Sequence, residues 1–160
     1  SEMCIRDRYY SNYLLNNNSS HISLIPSLLK KAEKLEKLSS PREIVFGHND
    51  LLAANFLNDG SKIWVVDWEY GGFNDPLFDI GGLSSNNDLD ENLENEVLEM
   101  YFKEKPSKDL IIKYNAMKTA SLLRETMWSM VSEITSKIEF NYAVYTSDNL
   151  KKFEESFDKL

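Results

Sequence analysis

Three polar side chains between positions 50 and 67 could together support phosphoryl transfer. Asp50 and Asn55 lie five positions apart, and Asp67 follows a short apolar run. An amide oxygen beside a carboxylate forms a hard-oxygen site of the kind that Mg²⁺ prefers, with phosphate and water as its remaining ligands. Asp50 could then accept the proton of a substrate hydroxyl. A base that orients the nucleophile and a metal that offsets phosphate charge are most of what this reaction needs.

Short β-strands are predicted to bring these residues together. The runs "ANFL" and "KIWVV" flank "NDG", which is a strong signal for a hairpin turn. Asn55 begins the first strand and Asp67 follows the second, so both should lie at the same end of the hairpin. An earlier run, "EIVF", ends at Phe46 and leaves Asp50 in the loop that follows.

Helical periodicity dominates the rest of the chain. Apolar residues recur at helical spacing, with polar residues on the other faces. The predicted helices cover residues 25–38, 78–83, 93–102, 108–136 and 140–157. Ser39-Ser40-Pro41 should end the first of them, and Asp75-Pro76 should cap and open the second. The predicted fold class is therefore α+β and mainly α-helical, with a small β-hairpin at the catalytic edge.

Composition limits the classes of function. The chain has 160 residues, the length of one domain, and a net charge of −8 that argues against nucleic acid and anionic membranes as partners. The single cysteine, Cys4, fits a reducing compartment. The sequence contains neither a secretory signal nor an apolar run near the ~20 residues of a membrane span. We therefore expect a cytoplasmic protein without membrane insertion, and the oligomeric state stays open.

Two long motifs resemble a known enzyme family. The segment "HNDLLAANFL", followed by "VVDWEYGGFNDPLFDIG", resembles the catalytic and metal-binding motifs of the choline/ethanolamine kinase family. That family belongs to the protein-kinase-like group, which also includes the aminoglycoside phosphotransferases. The segment "MWSMVSEITSKIEFNYAVYTSDNLKKF" resembles its C-terminal helices. The resemblance implies a protein-kinase-like lobe, Mg²⁺, ATP as co-substrate and a small amino alcohol as substrate.

The resemblance assigns catalytic roles position by position. Asp50 matches the catalytic base of the family, and Asn55 and Asp67 match its two magnesium ligands. His48 matches the position that supports the catalytic loop. Asp79, in "LFDIG", matches a buried aspartate that braces this loop by accepting backbone hydrogen bonds. Since Asn and Asp are also frequent in turns, only the combined spacing of the set favours a site.

The resemblance also implies residues around the metal and the substrate. Glu69, two residues after the metal aspartate, is a secondary candidate for the metal site. Trp128 and Tyr145 align with aromatic positions of the choline pocket, and Tyr70 aligns with a tyrosine beside it. Glu125 stands where some relatives carry a tryptophan, although a glutamate could itself face a cation. For Trp128, a position in the core is an equally open alternative.

The resemblance covers the C-terminal lobe of a kinase, over residues 22–160. Nothing before Ile22 matches the phosphate-covering loop or the lysine of the nucleotide lobe, so we expect this fragment alone to be inactive. Residues 1–21 are expected to be poorly structured. Within them, "SEMCIRDR" resembles translated sequencing-adapter remnants, so we expect genuine coding sequence to resume near Tyr9.

Two alternatives stay open at this point. The first is a phosphotransferase that acts on another alcohol, such as an aminoglycoside, a sugar or thiamine. The second is a non-catalytic kinase-like remnant. Intact Asp50, Asn55 and Asp67 count against the remnant, and the unmatched nucleotide lobe counts for it.

Overall fold

The computed structural model describes residues 2–40 and 43–160, with side chains from residue 7 onward within these ranges. Six α-helices carry most of the described chain: α1 Glu2–Asn16, α2 Ile25–Leu38, α3 Pro76–Asn86, α4 Glu91–Phe102, α5 Lys108–Thr135 and α6 Tyr142–Phe157. Four short strands are β1 Val45–Gly47, β2 Phe56–Asn58, β3 Ile63–Val65 and β4 Gly72–Asn74. The predicted fold class, mainly helical with small strand pairs, is confirmed. Pro41, predicted to end α2, lies outside the described residues.

The long helix α5 forms the centre of the lobe. Its first turn is capped by Ser107, whose side chain accepts a hydrogen bond from the Leu110 N–H at 3.1 Å. Helices α1, α2, α3 and α6 all pack against it. The contact with α3 is close at Gly81, where a Cβ would lie 2.7 Å from the Lys118 backbone. No helix in the described ranges is long and apolar enough to cross a membrane.

The strands form two antiparallel pairs rather than one sheet. In the predicted hairpin, β2 pairs with β3, and the turn places Gly60 at φ 89°. The carboxylate of Asp59 accepts hydrogen bonds from the Ser61 and Lys62 N–H groups at 2.8 and 3.0 Å and so holds this turn. Strand β1 pairs with β4, with Gly47 opposite Gly72. This second pair brings the chain before Asp50 next to the chain after Asp67.

The start of the chain corrects one prediction. We expected residues 1–21 to be poorly structured, whereas Glu2–Asn16 forms helix α1. Tyr10 and Leu14, four residues apart, are buried and belong to the hydrophobic core. Their contacts with α2 and α5 stabilise a segment whose own amphipathic pattern is weak. The adapter-like origin of the first eight residues stays a prediction.

Asp7 is a buried carboxyl group on α1. It is 2% exposed, and neither of its oxygens has a hydrogen-bond partner among the described residues. Burial raises the pKa of Asp7 to about 7; the Glu36 carboxylate adds to the rise, and Arg124 opposes it. The protonated form is therefore favoured in the folded chain below about pH 7.

This carboxyl group should make stability depend on pH. A group whose pKa is higher in the folded chain stabilises the fold below its unfolded pKa, and that contribution is lost as the pH rises through the folded value. Relative to Asp7→Asn, we expect the wild-type free energy of unfolding to fall by about 2 kcal/mol between pH 5 and pH 7. Urea denaturation at several pH values measures it. Asp109→Asn, at an exposed helical position, should keep the wild-type slope, and an unchanged slope in D7N would contradict the expectation.

Candidate active site

The segment from His48 to Asn55, which we call the catalytic loop, is held by helix α3. The Asp79 carboxylate accepts hydrogen bonds from the His48 N–H at 2.7 Å and from the Asn49 N–H at 2.5 Å. A Cβ on Gly47 would lie 2.6 Å from Asp79 Oδ2, so a larger residue would displace the carboxylate. Burial raises the pKa of Asp79, while the two backbone hydrogen bonds oppose the rise. The start of the loop is thus fixed to α3.

His48 connects the catalytic loop to the end of the hairpin. Its Nε2 lies 2.8 Å from the Val66 carbonyl oxygen, and its Nδ1 lies 3.3 Å from the Asp50 N–H group that donates to it. Both contacts are satisfied when the proton sits on Nε2. The ring is 2% exposed and packs against Trp68 at 4.8 Å between centroids. With both nitrogens engaged, the imidazole supports the loop rather than facing a substrate.

Two asparagines that the sequence analysis did not select also hold this loop. Asn49, at φ 63°, donates through Nδ2 to the Tyr70 carbonyl at 3.1 Å. Asn87, after α3, accepts from the Ala53 N–H at 2.7 Å and donates to the Leu51 carbonyl at 3.1 Å. Asparagine suits both tasks because its amide donates and accepts at once. Asparagine adopts a positive φ more readily than most residues, so its residue type was the only signal in the sequence at position 49.

The two predicted magnesium ligands lie at the joined end of the hairpin. The Val66 N–H donates to the Asn55 carbonyl at 3.0 Å, which places Asn55 beside the residue that precedes Asp67. Asn55 ends a 3₁₀ turn rather than beginning the strand, and its Nδ2 donates to the Asp50 carbonyl at 3.1 Å. Its Oδ1 is therefore the side-chain atom suited to a cation. Asp67 adopts φ 63° and is exposed, as is Glu69 on the following turn.

This donor set fits a magnesium ion that is shared with phosphate. In the described part of the chain, no group of three or more His, Cys, Asp and Glu side chains could hold a metal by itself. One carboxylate and one amide oxygen suit Mg²⁺ only when phosphate and water complete the octahedron. Such a site would be filled together with a nucleotide.

A cavity of about 400 Å³ opens beside Asp50. Its lining includes every substrate-side residue predicted from the sequence: Tyr70, Glu125, Trp128 and Tyr145. Phe140 and Tyr142 add two aromatic faces. Trp128 meets Tyr142 edge to face at 6.0 Å and also packs against the core, so both alternatives raised for this residue hold in part. The size and the aromatic lining suit a small organic ligand.

Glu125 places a carboxylate in this cavity. Its Oε1 accepts a hydrogen bond from the Tyr145 hydroxyl at 2.8 Å, and Oε2 lies 3.6 Å from Arg124 Nη2. Burial raises the pKa of Tyr145 and the Glu125 carboxylate raises it further, so the phenol stays a donor. A carboxylate beside aromatic faces is a favourable environment for an organic cation.

Arg124 is the site residue that sequence reasoning missed most clearly. Its guanidinium is buried and donates to the Asn49 carbonyl at 2.8 Å and to Asp50 Oδ1 at 2.7 Å. The available signal was an arginine directly after Leu122 and Leu123 on the apolar side of a long helix. Arginine is seldom fully buried without a partner, so this position indicated an internal ion pair.

The mainly helical fold with small antiparallel strand pairs is kinase-like. Residues 6–88 match the sequence model of the family described as choline/ethanolamine kinase, which is more than half of the 160 residues. The chain therefore belongs to the choline/ethanolamine kinase family.

Individual relatives agree with this assignment. The probable ethanolamine kinase A of Dictyostelium discoideum is 31% identical over 146 residues, which cover 79% of this chain and 41% of the relative. Among solved structures, a choline/ethanolamine kinase family protein from Mesorhizobium loti has a TM-score of 0.86 at 23% identity, covering 98% of this chain and 54% of that one. LicA, solved in complex with AMP, has a TM-score of 0.76 at 16% identity, with 98% and 54% covered. The chain thus spans about half the length of these proteins.

Proposed function

We propose that this chain is the catalytic lobe of an ATP-dependent kinase that phosphorylates the hydroxyl group of choline or a similar amino alcohol. The observation that carries the proposal is that Asp50 lines the same cavity as Glu125 and several aromatic side chains. Aromatic faces and a carboxylate attract an organic cation, and a second carboxylate can receive the hydroxyl proton. Membership of the family supports the same conclusion.

In this proposal Asp50 acts as the base. Its carboxylate takes the proton of the substrate hydroxyl while that oxygen forms a bond to the γ-phosphorus of ATP and the bond from this phosphorus to ADP breaks. His48 and Asp79 hold the loop that carries Asp50. Asn55 Oδ1 and the Asp67 carboxylate would hold Mg²⁺, which offsets phosphate charge when bound.

The substrate-side residues would orient the amino alcohol. Trp128 and Tyr145 offer aromatic faces to the cationic head, Tyr70 lies beside them, and Glu125 supplies the opposite charge. The hydroxyl end would then reach Asp50. Glu69 is proposed as a further contact near the metal.

Nucleotide binding is proposed to need the part of the relatives that this chain does not span. The AMP complex of LicA supports a nucleotide co-substrate for the family fold. We propose that the 160-residue chain is inactive by itself and that the whole protein acts in the cytoplasm. A chimaera tests this, in which residues 9–160 follow the N-terminal half of the Mesorhizobium loti relative.

The deciding experiment measures transfer of labelled γ-phosphate from ATP to choline, ethanolamine, an aminoglycoside, a sugar and thiamine. We expect the chimaera to phosphorylate choline or ethanolamine and the 160-residue chain to give only background. Preference for one of the other alcohols would contradict the proposed substrate. A folded chimaera that is inactive with every acceptor, beside an active Mesorhizobium loti parent, would favour the non-catalytic remnant.

The charge of Glu125 should set the affinity for the cationic head. Glu125→Gln keeps an acceptor for the Tyr145 hydroxyl but removes the negative charge, so we expect amino-alcohol binding to weaken about tenfold, corresponding to ~1.4 kcal/mol. The cavity lies within the described residues, so calorimetry on the 160-residue chain can measure this. Glu133 lies further along α5, where its carboxylate contacts His21 Nε2 at 3.0 Å, and Glu133→Gln is the matched control. Equal affinities for wild type and E125Q would contradict this role.

A further inference from the structure

Arg124 is a buried cation on the apolar side of α5. Its side chain is 7% exposed, and its neighbours Leu122 and Leu123 are buried and apolar. A buried guanidinium is costly unless carboxylates and other acceptors surround it. Helix packing alone therefore does not explain a charged residue at position 124. The groups that the guanidinium contacts explain it.

Two N–H groups of Arg124 reach consecutive residues of the catalytic loop. Nη1 donates to the Asn49 carbonyl at 2.8 Å, and Nη2 donates to Asp50 Oδ1 at 2.7 Å. A guanidinium holds its donors in one plane and at fixed angles. One side chain therefore fixes both the peptide before Asp50 and the rotation of the Asp50 carboxylate.

The catalytic loop is held from α3 and from α5, but the two supports differ. The Asp79 carboxylate on α3 accepts hydrogen bonds from the backbone N–H groups of His48 and Asn49. These contacts hold the backbone before Asp50 and not the Asp50 side chain. Asn49 also adopts a positive φ of 63°, a conformation that persists when neighbouring contacts fix it. The Arg124 contact is the one that extends from the loop backbone to the carboxylate itself.

We propose that Arg124 is a positioning residue for Asp50. The proposal rests on the proposed function, in which Asp50 is the base. Arg124 holds Oδ1 and the preceding peptide, so that Oδ2 can face the substrate hydroxyl. The guanidinium exchanges no proton: although burial opposes its charge, the neighbouring Asp50 and Glu125 carboxylates raise the pKa of Arg124 above its ordinary value.

The first test measures kcat and KM of the chimaera with substitutions at this position. Arg124→Met should lower kcat about a hundredfold, because misplacing a reacting group by about 1 Å has an effect of that size. The KM value for ATP should change less than about threefold, because the nucleotide half is retained. Arg124→Lys should retain about a tenth of the wild-type kcat, since lysine supplies a charged donor but not the two coplanar N–H groups of the guanidinium.

A matched control lies on the same helix. Lys118 pairs with Glu94 at 2.8 Å, away from the catalytic loop, and Lys118→Met removes a partly buried, paired cation from the same helix. We expect K118M to leave kcat unchanged. An unchanged kcat in R124M would overturn the proposal. The proposal would also be overturned if R124M and R124K lost kcat equally and in proportion to their loss of thermal stability.

The second test needs no enzyme activity and uses the 160-residue chain. NMR relaxation measures the order parameter of the Asp50 backbone amide. We expect about 0.85 in wild type and K118M, and less than about 0.6 in R124M. If the wild-type chimaera is inactive while R124M loosens Asp50, the proposed function fails and the positioning contact stands. If Asp50 stays ordered in R124M, the positioning proposal fails whatever the activity of the chimaera.

Discussion

Asp50→Asn should lower the kcat of the active chimaera by a factor of about 10²–10⁴, the usual contribution of a general base. The asparagine cannot take the hydroxyl proton, but its side-chain oxygen can still accept the Arg124 hydrogen bond now made to Oδ1. The Asn55 contact to the Asp50 carbonyl is also unaffected. Because the Asp50 charge is paired with Arg124 at 2.7 Å, calorimetry should find amino-alcohol binding to the 160-residue chain within about threefold of wild type.

Asp88→Asn is the control for this substitution. Asp88 is an exposed carboxylate that pairs with Lys152 at 2.7 Å, outside the catalytic loop. D88N removes this exposed ion pair, which contributes little to stability. Because the pair lies outside the catalytic loop, kcat should stay unchanged. A D50N chimaera that retains more than about a tenth of the wild-type kcat would show that another group receives the proton.

Asp79→Ala should have the largest effect on stability among the site residues. It leaves the buried N–H groups of His48 and Asn49 without their acceptor. Each unsatisfied group costs about 1–3 kcal/mol, so we expect a total loss of about 3–5 kcal/mol in the free energy of unfolding. Urea denaturation of the 160-residue chain measures this, and the chimaera should lose kcat as the loop becomes mobile.

Asp90→Ala provides the comparison for D79A. Asp90 also accepts a backbone hydrogen bond, from the Leu93 N–H at 3.0 Å, but it caps an exposed helix start. Loss of such a cap costs about 1 kcal/mol. If D79A and D90A destabilised the chain equally, the buried contacts of Asp79 would not be the main support of the loop.

The fold could be predicted well from the sequence because its signals are local. The hairpin around Gly60 and the long helix α5 both follow from turn residues and apolar periodicity over neighbouring positions. Helix α1 could not be predicted this way. Its stability comes from burying Tyr10 and Leu14 in a core to which α5, far away in the sequence, also contributes.

The same distinction applies to the candidate site. Asp50, Asn55 and Asp67 lie within one short motif, and the structure brings them to one edge of the lobe. The partners of the loop come from remote segments: Asn87 follows α3, and Arg124 lies 74 positions after Asp50. Hydrogen bonds of this kind depend on the packing of helices, which no local pattern encodes.

The close packing of α3 against α5 at Gly81 also bears on the geometry of the site. The two helices carry Asp79 and Arg124, which hold the catalytic loop from different directions. A side chain at position 81 would meet the Lys118 backbone at 2.7 Å and force the helices apart. This glycine therefore sets the spacing between both supports of the catalytic loop. A substitution at Gly81, which does not line the cavity, would thus displace both supports of the catalytic loop.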